Sequence, residues 1–495
     1  MEEAAPAPSD RRRWLADPVV AAGLVMVLVA TAFRAWALYP SWFYFDDFEL
    51  LIDSQGGGVP DLLKPFNGHL MVGGRLVAWA VEGSGQLNWA LAATITLGML
   101  LLANLAALWM FTTLFGRRWA VLVPCALYWF SSATLPATMW WIAALNQVPM
   151  QMALFLAVGA WVCYLRGREP RWLVATLSAV LLGLLFYVKA LLILPLLGYL
   201  AVVYFAHGSI RDRARWLLGL WPAVLGLAVL LVTYVLYYRA NAAQPVERAG
   251  LDLLGQLAEN MVVNAFATSL VGGPWDWVST APPNAFADPP AVMVHATWVA
   301  IASIVAVGLL TRRRTTRAWV LLAGYLVGLV GLLLTSRAPV YGPIIGLEYR
   351  YLTDGACVAA LCLALAFLHL PGAPGSSARR DEPLLLLRVR PSWVVAAVAL
   401  VVVSSVVSQV RYVRYWHEQN VIAGYLDTLA GELRREGRVD LVDVVSADSE
   451  YRGLTGPDVS VRAFLPLLQN DVRFPLASGR LGIVATDGRL HRVLV

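Results

Sequence analysis

Ionisable residues are concentrated in one stretch of the chain, Trp42–Arg75, which separates the first two long apolar segments. Four of the 32 acidic residues fall within eight positions there, at Asp46, Asp47, Glu49 and Asp53. One carboxylate of the adjacent pair could take a proton from an acceptor hydroxyl, while the other could orient it or hold Mg²⁺ or Mn²⁺. The structural alternative is that the pair only begins a loop or caps the following helix.

Five cationic residues are candidates for binding an anionic group such as a phosphate. They are His69, Arg75, Lys189, Arg337 and Arg350. A guanidinium at the mouth of a membrane span suits bidentate phosphate binding. As alternatives, Lys189 could extend its ammonium to the membrane surface, and Arg350 could form a purely structural ion pair with Glu348 or Asp354.

Four further residues could contact a sugar or an acceptor hydroxyl: Glu49, Asn146, Trp275 and Tyr351. A tryptophan can stack on a sugar ring, but one near a membrane surface also serves as an interfacial anchor. An asparagine at the outer end of a span could instead cap a helix or bond to a neighbouring helix. These residues therefore have a structural as well as a functional interpretation.

The composition indicates a polytopic helical membrane protein. The 495 residues are 59% hydrophobic and only 14% charged, with a mean hydropathy of +0.65, and apolar runs of about 20 residues recur along the chain. The net charge of +6 comes with arginines clustered between these runs. Such clusters are typical of topology signals, so we expect no nucleic-acid partner. The four cysteines lie inside apolar runs and show no disulfide or metal spacing.

The pattern predicts about eleven membrane spans. Their expected positions are 18–38, 88–115, 119–135, 148–165, two spans within 172–206, 216–238, 291–310, 318–334, 351–370 and 393–410. Splitting 172–206 near Lys189 places every arginine cluster on one side of the membrane, as the positive-inside rule requires. The N-terminus is then cytoplasmic and the C-terminus lies outside.

Three regions follow from this topology. Residues 1–17 should form a disordered cytoplasmic tail, and residues 18–410 a transmembrane domain with external loops at 39–87, 239–290 and 335–350. Residues 411–495 differ in composition and predict a small extracytoplasmic α/β domain. We expect a helix over 411–438, a strand at 441–445 and a hairpin over 481–495, turning at Asp487-Gly488.

The arrangement resembles the GT-C superfamily of integral-membrane glycosyltransferases, which use lipid-linked sugar donors. The resemblance rests on the acidic pair Asp46-Asp47 directly after the first span, the interfacial segments that follow, and Arg350-Tyr351 leading into a late span. The stretch FDDF followed by PFNGH resembles a group of bacterial GT-C-like proteins. The fold class that this implies is all-α and polytopic, closed by a soluble domain on the outer side.

The resemblance implies that Asp46 acts as the base or helps hold a metal ion, with Asp47 as its partner. It implies that Arg350, Lys189 and His69 lie closest to the donor phosphate. The expected reaction moves a sugar from a polyprenyl-phosphate donor to a glycan, lipid or protein hydroxyl of the cell envelope. It would take place among membrane lipids at the outer face of a bacterial cytoplasmic membrane. No sequon-binding motif of oligosaccharyltransferases is present.

Two other functions stay open at this stage. The chain could be a transporter or flippase of a lipid-linked precursor, or a non-catalytic member that only binds lipid. Transporters usually show internal repeats and polar residues at the membrane midplane. The sequence shows no convincing repeat, and its ionisable groups gather near the outer edge of the predicted bundle. This distribution favours chemistry at the surface.

Overall fold

The computed structural model describes residues 16–85, 87–242, 250–382, 389–444, 461–468, 472–476, 478 and 480–492. The tail expected at 1–17 lies almost wholly outside these residues. So does part of the C-terminal region, including residues 445–460.

Twenty α-helices account for most of the described chain. They are α1 (Pro18–Leu38), α2 (Asp46–Ser54), α3 (Val72–Glu82), α4 (Trp89–Phe115), α5 (Leu122–Trp129), α6 (Leu135–Met139), α7 (Trp141–Gly167), α8 (Pro170–Phe186), α9 (Ile193–Tyr199), α10 (Ile210–Leu218), α11 (Trp221–Asn241), α12 (Leu251–Ala258), α13 (Ala267–Leu270), α14 (Ala291–Thr311), α15 (Thr316–Ser336), α16 (Ala338–Tyr341), α17 (Thr353–Phe367), α18 (Pro391–Glu418), α19 (Val421–Glu436) and α20 (Val461–Phe464). Helix α7 is the most buried of the long helices and packs against α4 and α8. It therefore forms the centre of the bundle.

Eight helices of the described part are long and apolar enough to cross a membrane. The segments Trp119–Trp129 and Ser132–Met139 together could form a ninth span, bent by 48°. The predicted fifth and tenth spans are the shorter apolar helices α8 and α17, about 26 and 22 Å long against roughly 30 Å of hydrocarbon. The polytopic, mostly helical fold is thus confirmed, and the number eleven stays a prediction.

Buried polar side chains stabilise the break in the bent span. Arg34 of α1 is almost fully buried and donates to Ser131 O at 3.3 Å and to Thr134 Oγ1 at 2.7 Å. From α18, Ser405 Oγ and Gln409 Nε2 both donate to Phe130 O. These bonds satisfy backbone carbonyls that a continuous helix would have paired internally, so the break is a stable feature of the fold.

The fourth span begins earlier than its hydropathy predicts. Helix α7 starts at Trp141 rather than near Val148, so Asn146 and Gln147 lie within the helix. The reason is a long-range cap: Asp47 Oδ1 accepts the backbone N–H of Ile142 at 2.8 Å. A carboxylate at a helix N-terminus satisfies an orphan N–H and favours the helix dipole. Hydropathy alone does not register this contact.

The long apolar run 172–206 is divided as predicted. Helix α8 ends at Phe186, and the chain resumes as a 3₁₀ turn at Val188–Leu192, then α9 and a π-helical turn at Leu200–Phe205. At the division, Lys189 Nζ donates to Asp354 Oδ1 at 2.5 Å and to Tyr351 O at 2.8 Å. Asp354 Oδ2 accepts the hydroxyl of Tyr325 at 2.6 Å. Lys189 is thus held by an internal ion pair.

The external loops carry structure of their own. The first contains α2, a 3₁₀ turn at Val59–Leu63 and α3, the last of which was not anticipated. The second contains α12, a π-helical stretch at Glu259–Phe266, α13 and a hairpin of β1 (Trp277–Ala281) and β2 (Asn284–Ala287). The third consists of α16 and 3₁₀ turns at Pro343–Leu347 and Tyr349–Tyr351. All three loops line the same end of the bundle, because their side chains contact one another as described below.

The described C-terminal residues form a small α/β unit. It contains helices α19 and α20 and four strands: β5 (Val439–Leu441), β6 (Val472–Arg473), β7 (Leu481–Val484) and β8 (Leu490–Arg492). The strands form one sheet in the order β6-β5-β7-β8. Strand β5 is parallel to β6 and β7, and β7 pairs antiparallel with β8. The hairpin turns at Gly488, whose φ of +82° glycine adopts readily. A further two-residue ladder, β3 (Arg312–Arg313) with β4 (Ala378–Arg379), lies at the arginine-rich end of the bundle.

The Lys189–Asp354 pair should be a strong stability element. Replacing Lys189 with Met leaves a fully buried carboxylate without its counter-charge, and such a change typically destabilises by about 3–5 kcal/mol. The double variant Lys189→Met/Asp354→Asn should recover much of this loss, because it leaves no buried charge. Thermal unfolding in lipid nanodiscs measures both. Equal transition temperatures for the single and double variants would contradict this assignment.

Candidate functional site

The first external loop is fastened to the bundle by Asp47. Its side chain is fully buried, with Oδ2 accepting the N–H of Tyr44 at 2.9 Å and Oδ1 accepting the N–H of Ile142 at 2.8 Å. Burial, followed by the negative charge of Asp46, raises the pKa of Asp47 well above its ordinary value. With both oxygens occupied by peptide groups, Asp47 positions the loop and does not face a substrate.

Asp46 is held differently, because it is only partly buried. Its Oδ1 accepts the indole N–H of Trp140 at 2.8 Å, and its Oδ2 accepts the amide of Asn67 at 3.2 Å. Burial raises the pKa of Asp46 above its ordinary value, and the positive charges of Arg350 and Arg337 oppose that rise. The result is an accessible carboxylate facing two cations, a suitable arrangement for a general base.

The guanidinium of Arg350 lies over Trp140, the residue that donates to Asp46. Its guanidinium carbon is 4.0 Å from the centre of the Trp140 ring, a cation–π contact, and its Nη2 lies 3.2 Å from the hydroxyl of Tyr351. Its Nε lies 2.6 Å from Glu348 Oε1. Gln147 Nε2 donates to the carbonyl of Arg350 at 2.8 Å and fixes the backbone. The Arg350–Glu348 pair, which was the structural alternative for Arg350, therefore forms, and it orients the guanidinium.

Glu348 is in turn held by the second external loop and by α18. Its side chain is almost fully buried, and its Oε1 accepts the amide of Asn284 at 3.1 Å. Asn284 Oδ1 accepts the hydroxyl of Tyr412 at 3.2 Å. Burial raises the pKa of Glu348, an effect that the charge of Arg350 opposes. The chain of contacts connects Arg350 to a membrane-spanning helix far along the sequence.

Arg337 brings a second guanidinium to the same region. It follows α15, and its Nη2 contacts Asn67 O at 3.4 Å, next to the asparagine amide that bonds to Asp46. Within the described parts of the chain, no carboxylate lies within ion-pair distance of Arg337. It is therefore the site cation whose charge is least compensated.

His69 completes the cluster as a neutral group. Burial, followed by the positive charges of Arg337 and Arg350, lowers the pKa of His69 to about 4. Its ring meets the ring of Tyr187 edge-on at 5.4 Å, and its backbone exchanges two hydrogen bonds with Phe66. His69 is uncharged at pH 7, so it can offer a neutral ring nitrogen but no second positive charge.

Two of the predicted cations are occupied elsewhere. Lys189 forms the internal pair with Asp354. Arg75 is fully buried. Its Nη2 donates to Asp53 Oδ2 and its Nε to Lys64 O, both at 2.7 Å, so it holds the loop between α2 and α3 in place. A donor phosphate could reach either residue only by breaking these contacts.

The predicted sugar contacts are dispersed. Tyr351 lies beside Arg350 in the cluster. Glu49 is partly buried, and burial followed by the negative charge of Asp46 raises its pKa. Asn146 is in α7 with its Oδ1 buried and without a hydrogen-bond partner among the described residues. Trp275 contacts α18 instead, with Nε1 on Ser404 Oγ at 2.7 Å. The structure therefore gathers the first two with Asp46 and gives Trp275 a structural contact.

The acidic pair does not fit a shared metal ion. Both oxygens of Asp47 accept peptide N–H groups, and both oxygens of Asp46 accept side-chain N–H groups, so the two carboxylates are not free to converge on one cation. Among the described residues, no group of three or more His, Cys, Asp or Glu side chains could hold a metal ion. The Mg²⁺ or Mn²⁺ site expected from the sequence stays a prediction.

Several residues of the cluster were not anticipated as site residues. Trp140 and Asn67 hold the two oxygens of Asp46, Tyr187 packs on His69, and Asn284 supports the arginine side. Asn67 was within reach of a sequence argument, since it belongs to the PFNGH stretch that carries the resemblance. The others come from distant loops and helices. Their neutral side chains carry no sequence signal beyond ordinary membrane-interface composition.

The chain is similar to two solved membrane-protein structures. One is the arabinofuranosyltransferase AftD from Mycobacteria, with a TM-score of 0.47 and 16% identity over 94% of this chain and 32% of AftD. The other is ArnT from Cupriavidus metallidurans bound to undecaprenyl phosphate, with a TM-score of 0.46 and 14% identity over 93% and 92% of the two chains.

This chain spans about a third of the length of AftD. No protein-family model and no curated protein sequence matches it. With TM-scores below 0.5, neither structure decides what this chain binds or does. The case for a function therefore rests on the geometry of the cluster around Asp46.

The two adjacent aspartates should differ in their effect on stability. Asp47→Ala leaves the N–H groups of Tyr44 and Ile142 buried without acceptors, at about 1–3 kcal/mol each, so the unfolding temperature should fall clearly. Asp46→Asn keeps the side-chain volume and should change stability little. Thermal unfolding of both variants in nanodiscs makes the comparison. Similar losses in the two variants would remove the structural distinction between them.

Proposed function

We propose that this protein is a glycosyltransferase that moves a sugar from a polyprenyl-phosphate donor to an acceptor hydroxyl. One observation carries the proposal: a partly exposed carboxylate, Asp46, faces two arginines, Arg337 and Arg350, at one end of an apolar helical bundle. Transfer from such a donor needs a base that deprotonates the acceptor hydroxyl and cations that stabilise the departing phosphate. It also needs an apolar surface for the lipid chain, which the bundle offers.

The donor phosphate would bind first to Arg337, whose charge has no carboxylate partner in the described structure. Arg350 pairs through Nε with Glu348, and the face of its guanidinium lies on the Trp140 ring, so the terminal nitrogens are presented to the phosphate. The hydroxyl of Tyr351, already beside Nη2, could donate to the same phosphate. Arg337, Arg350 and Tyr351 thus stabilise the negative charge that grows on the leaving group.

Asp46 would act as the general base. Its carboxylate accepts the proton of the acceptor hydroxyl as the hydroxyl oxygen attacks the anomeric carbon. The bond between that carbon and the phosphate oxygen breaks, and polyprenyl phosphate leaves with its bonding electron pair. The attack comes from the face opposite the leaving group, so the configuration inverts. Trp140 and Asn67 hold the carboxylate so that it need not reorganise during the step.

The acceptor and the membrane sidedness follow from the same proposal. By the positive-inside rule, the arginine clusters favour a cytoplasmic N-terminus, with the Asp46 cluster at the outer face of a bacterial cytoplasmic membrane. The C-terminal α/β unit then lies outside as well, beside the site. A cell-envelope glycan, lipid or protein bearing a hydroxyl would meet the donor there.

A transporter of a lipid-linked precursor is a second candidate, favoured by one observation. The third span is broken at Phe130–Ser131 and bent by 48°, and broken helices often mark transport sites. Transport predicts that donor is moved across the membrane without cleavage of its sugar–phosphate bond. Measuring that bond directly separates the two functions.

Release of polyprenyl phosphate is the decisive measurement. Protein in nanodiscs would receive radiolabelled polyprenyl-phosphate sugars together with cell-envelope extract as acceptor. Asp46→Asn should lower transfer by about 10²–10⁴-fold, the usual contribution of a general base, while donor binding persists. Arg337→Gln should weaken donor binding about 10- to 100-fold, since it removes a charge-assisted hydrogen bond.

Two variants serve as matched controls. Glu82→Gln removes a carboxylate at the end of α3, in the same loop, and Arg239→Gln removes an exposed arginine at the end of α11. Neither should change transfer by more than a small factor. If Asp46→Asn transferred sugar as fast as the unaltered protein, Asp46 would not be the base. Donor translocation without release would favour the transporter.

The pH dependence of transfer should report on Asp46. The base must be ionised, and burial raises the pKa of Asp46 above its ordinary value. Activity should therefore fall on the acid side at a pH above that of an ordinary carboxyl group. A bound donor phosphate adds negative charge and raises this pKa further, so the limb of kcat should lie at higher pH than that of kcat/KM.

Arg337→Gln provides the internal check on this pH profile. The positive charge of Arg337 lowers the pKa of Asp46, so removing it should move the acid limb of kcat/KM to higher pH. Arg239→Gln should leave the limb in place. If the limb did not move in Arg337→Gln, the titrating group would not be Asp46.

A further inference from the structure

The two-residue ladder at the arginine-rich end of the bundle places like charges opposite each other. Strand β3 follows α14 directly, and β4 comes from the loop after α17. Arg312 is the direct partner of Arg379, and Arg313 of Ala378. Directly opposed residues of an antiparallel pair have Cβ atoms about 4.5–5.5 Å apart, and like charges there are destabilising. The ladder is therefore costly unless something anionic offsets it.

The surrounding arginines are satisfied and hold the ladder in register. Arg380 donates from its backbone N–H to Thr311 O and from Nε to Arg312 O, and Arg314 Nη1 donates to Pro374 O. Arg317 Nη1 reaches Val203 O and Gly375 O at 2.9 Å each. These contacts close the loop onto the helix ends, so Arg312 and Arg379 cannot separate without breaking them.

The opposed pair itself has no anionic partner in the described structure. Arg312 is partly buried, its Nε is buried without a hydrogen-bond partner, and its one contact is Nη2 to Ser377 Oγ at 3.5 Å. Burial and the charge of Arg379 lower the pKa of Arg312. Arg379 is exposed and forms no ion pair with a described carboxylate. The nearby Arg313–Asp381 pair is formed by exposed side chains and leaves this pair uncompensated.

We propose that Arg312 and Arg379 form a binding site for a phosphate group, and that its source is the headgroup of an anionic phospholipid. The ladder begins directly after α14 leaves the apolar segment, so it lies at headgroup depth. Basic pockets between the ends of spanning helices suit anionic lipid headgroups. Two guanidinium groups can bind one phosphate through several N–H donors. The site is at the opposite end of the predicted topology from Asp46, so it does not depend on the function proposed above.

The test compares the full-length protein in nanodiscs of phosphatidylcholine alone and of phosphatidylcholine with phosphatidylglycerol. Native mass spectrometry counts the phosphatidylglycerol molecules that stay bound, and thermal unfolding measures the stabilisation they give. Arg312→Gln/Arg379→Gln should retain phosphatidylglycerol about 30-fold more weakly, since each arginine contributes roughly a factor of five at an anionic surface. Its unfolding temperature should no longer rise with this lipid.

The matched control is Arg211→Gln/Arg215→Gln, which removes two charges from the exposed face of α10. That helix follows the Leu200–Phe205 turn, whose Val203 bonds to Arg317, so it lies at the same end of the bundle. This control should retain phosphatidylglycerol as the unaltered protein does. Equal retention in all three proteins, or equal losses in both double variants, would overturn the proposal in favour of a general charge effect.

Two further arms keep the outcome clear. The single variant Arg379→Gln alters an exposed side chain that makes no hydrogen bond or ion pair to a described residue. It therefore tests the site even where the double variant does not fold. We expect it to retain phosphatidylglycerol about fivefold more weakly. Inorganic phosphate added to phosphatidylcholine nanodiscs tests the other source of the same group. Stabilisation by free phosphate, with none by phosphatidylglycerol, would overturn the lipid assignment.

Discussion

The carboxylate of Asp47 is the contact on which the site depends. It accepts one N–H from its own loop and one from the start of α7, the most buried long helix. That single side chain fixes where α7 begins and therefore where Trp140 lies. Trp140 then bonds to Asp46 on its edge and supports Arg350 on its face. A carboxylate from the first loop and a guanidinium from the third thus meet on one indole ring.

The ionisable groups of this end of the bundle divide into two kinds. Some are closed ion pairs in which at least one side chain is buried, such as Lys189 with Asp354 and Arg75 with Asp53. Others keep an accessible side, and these are Asp46, Arg337 and the terminal end of Arg350. A buried charge that is paired and hydrogen-bonded can be kept in an apolar environment. The closed pairs therefore account for Lys189 and Arg75, two of the five candidate cations, and the open groups define the candidate site.

The fold was largely predictable because long apolar runs and arginine clusters determine it through hydrophobicity and charge alone. The importance of the first loop was also visible, since carboxylates at a membrane surface are rare. What the sequence could not supply was pairing. Nothing local separates Asp46 from Asp47, yet Asp47 accepts one peptide N–H from its own loop and one from α7, whereas Asp46 is partly exposed. Lys189 likewise looked like a free cation because its partner, Asp354, lies 165 residues further along.

The broken third span is the feature of the fold that transport would use. In transporters, the carbonyls exposed at a break coordinate the transported species or an ion. Here Phe130 O is occupied by Ser405 and Gln409, and Ser131 O by Arg34, all from spanning helices. Carbonyls saturated by fixed side chains offer little to a passing ligand. The break instead lets the segment after Ser131 turn toward α7, which brings Trp140 to Asp46. Its geometry is thus explained by building the surface site, without requiring a path across the membrane.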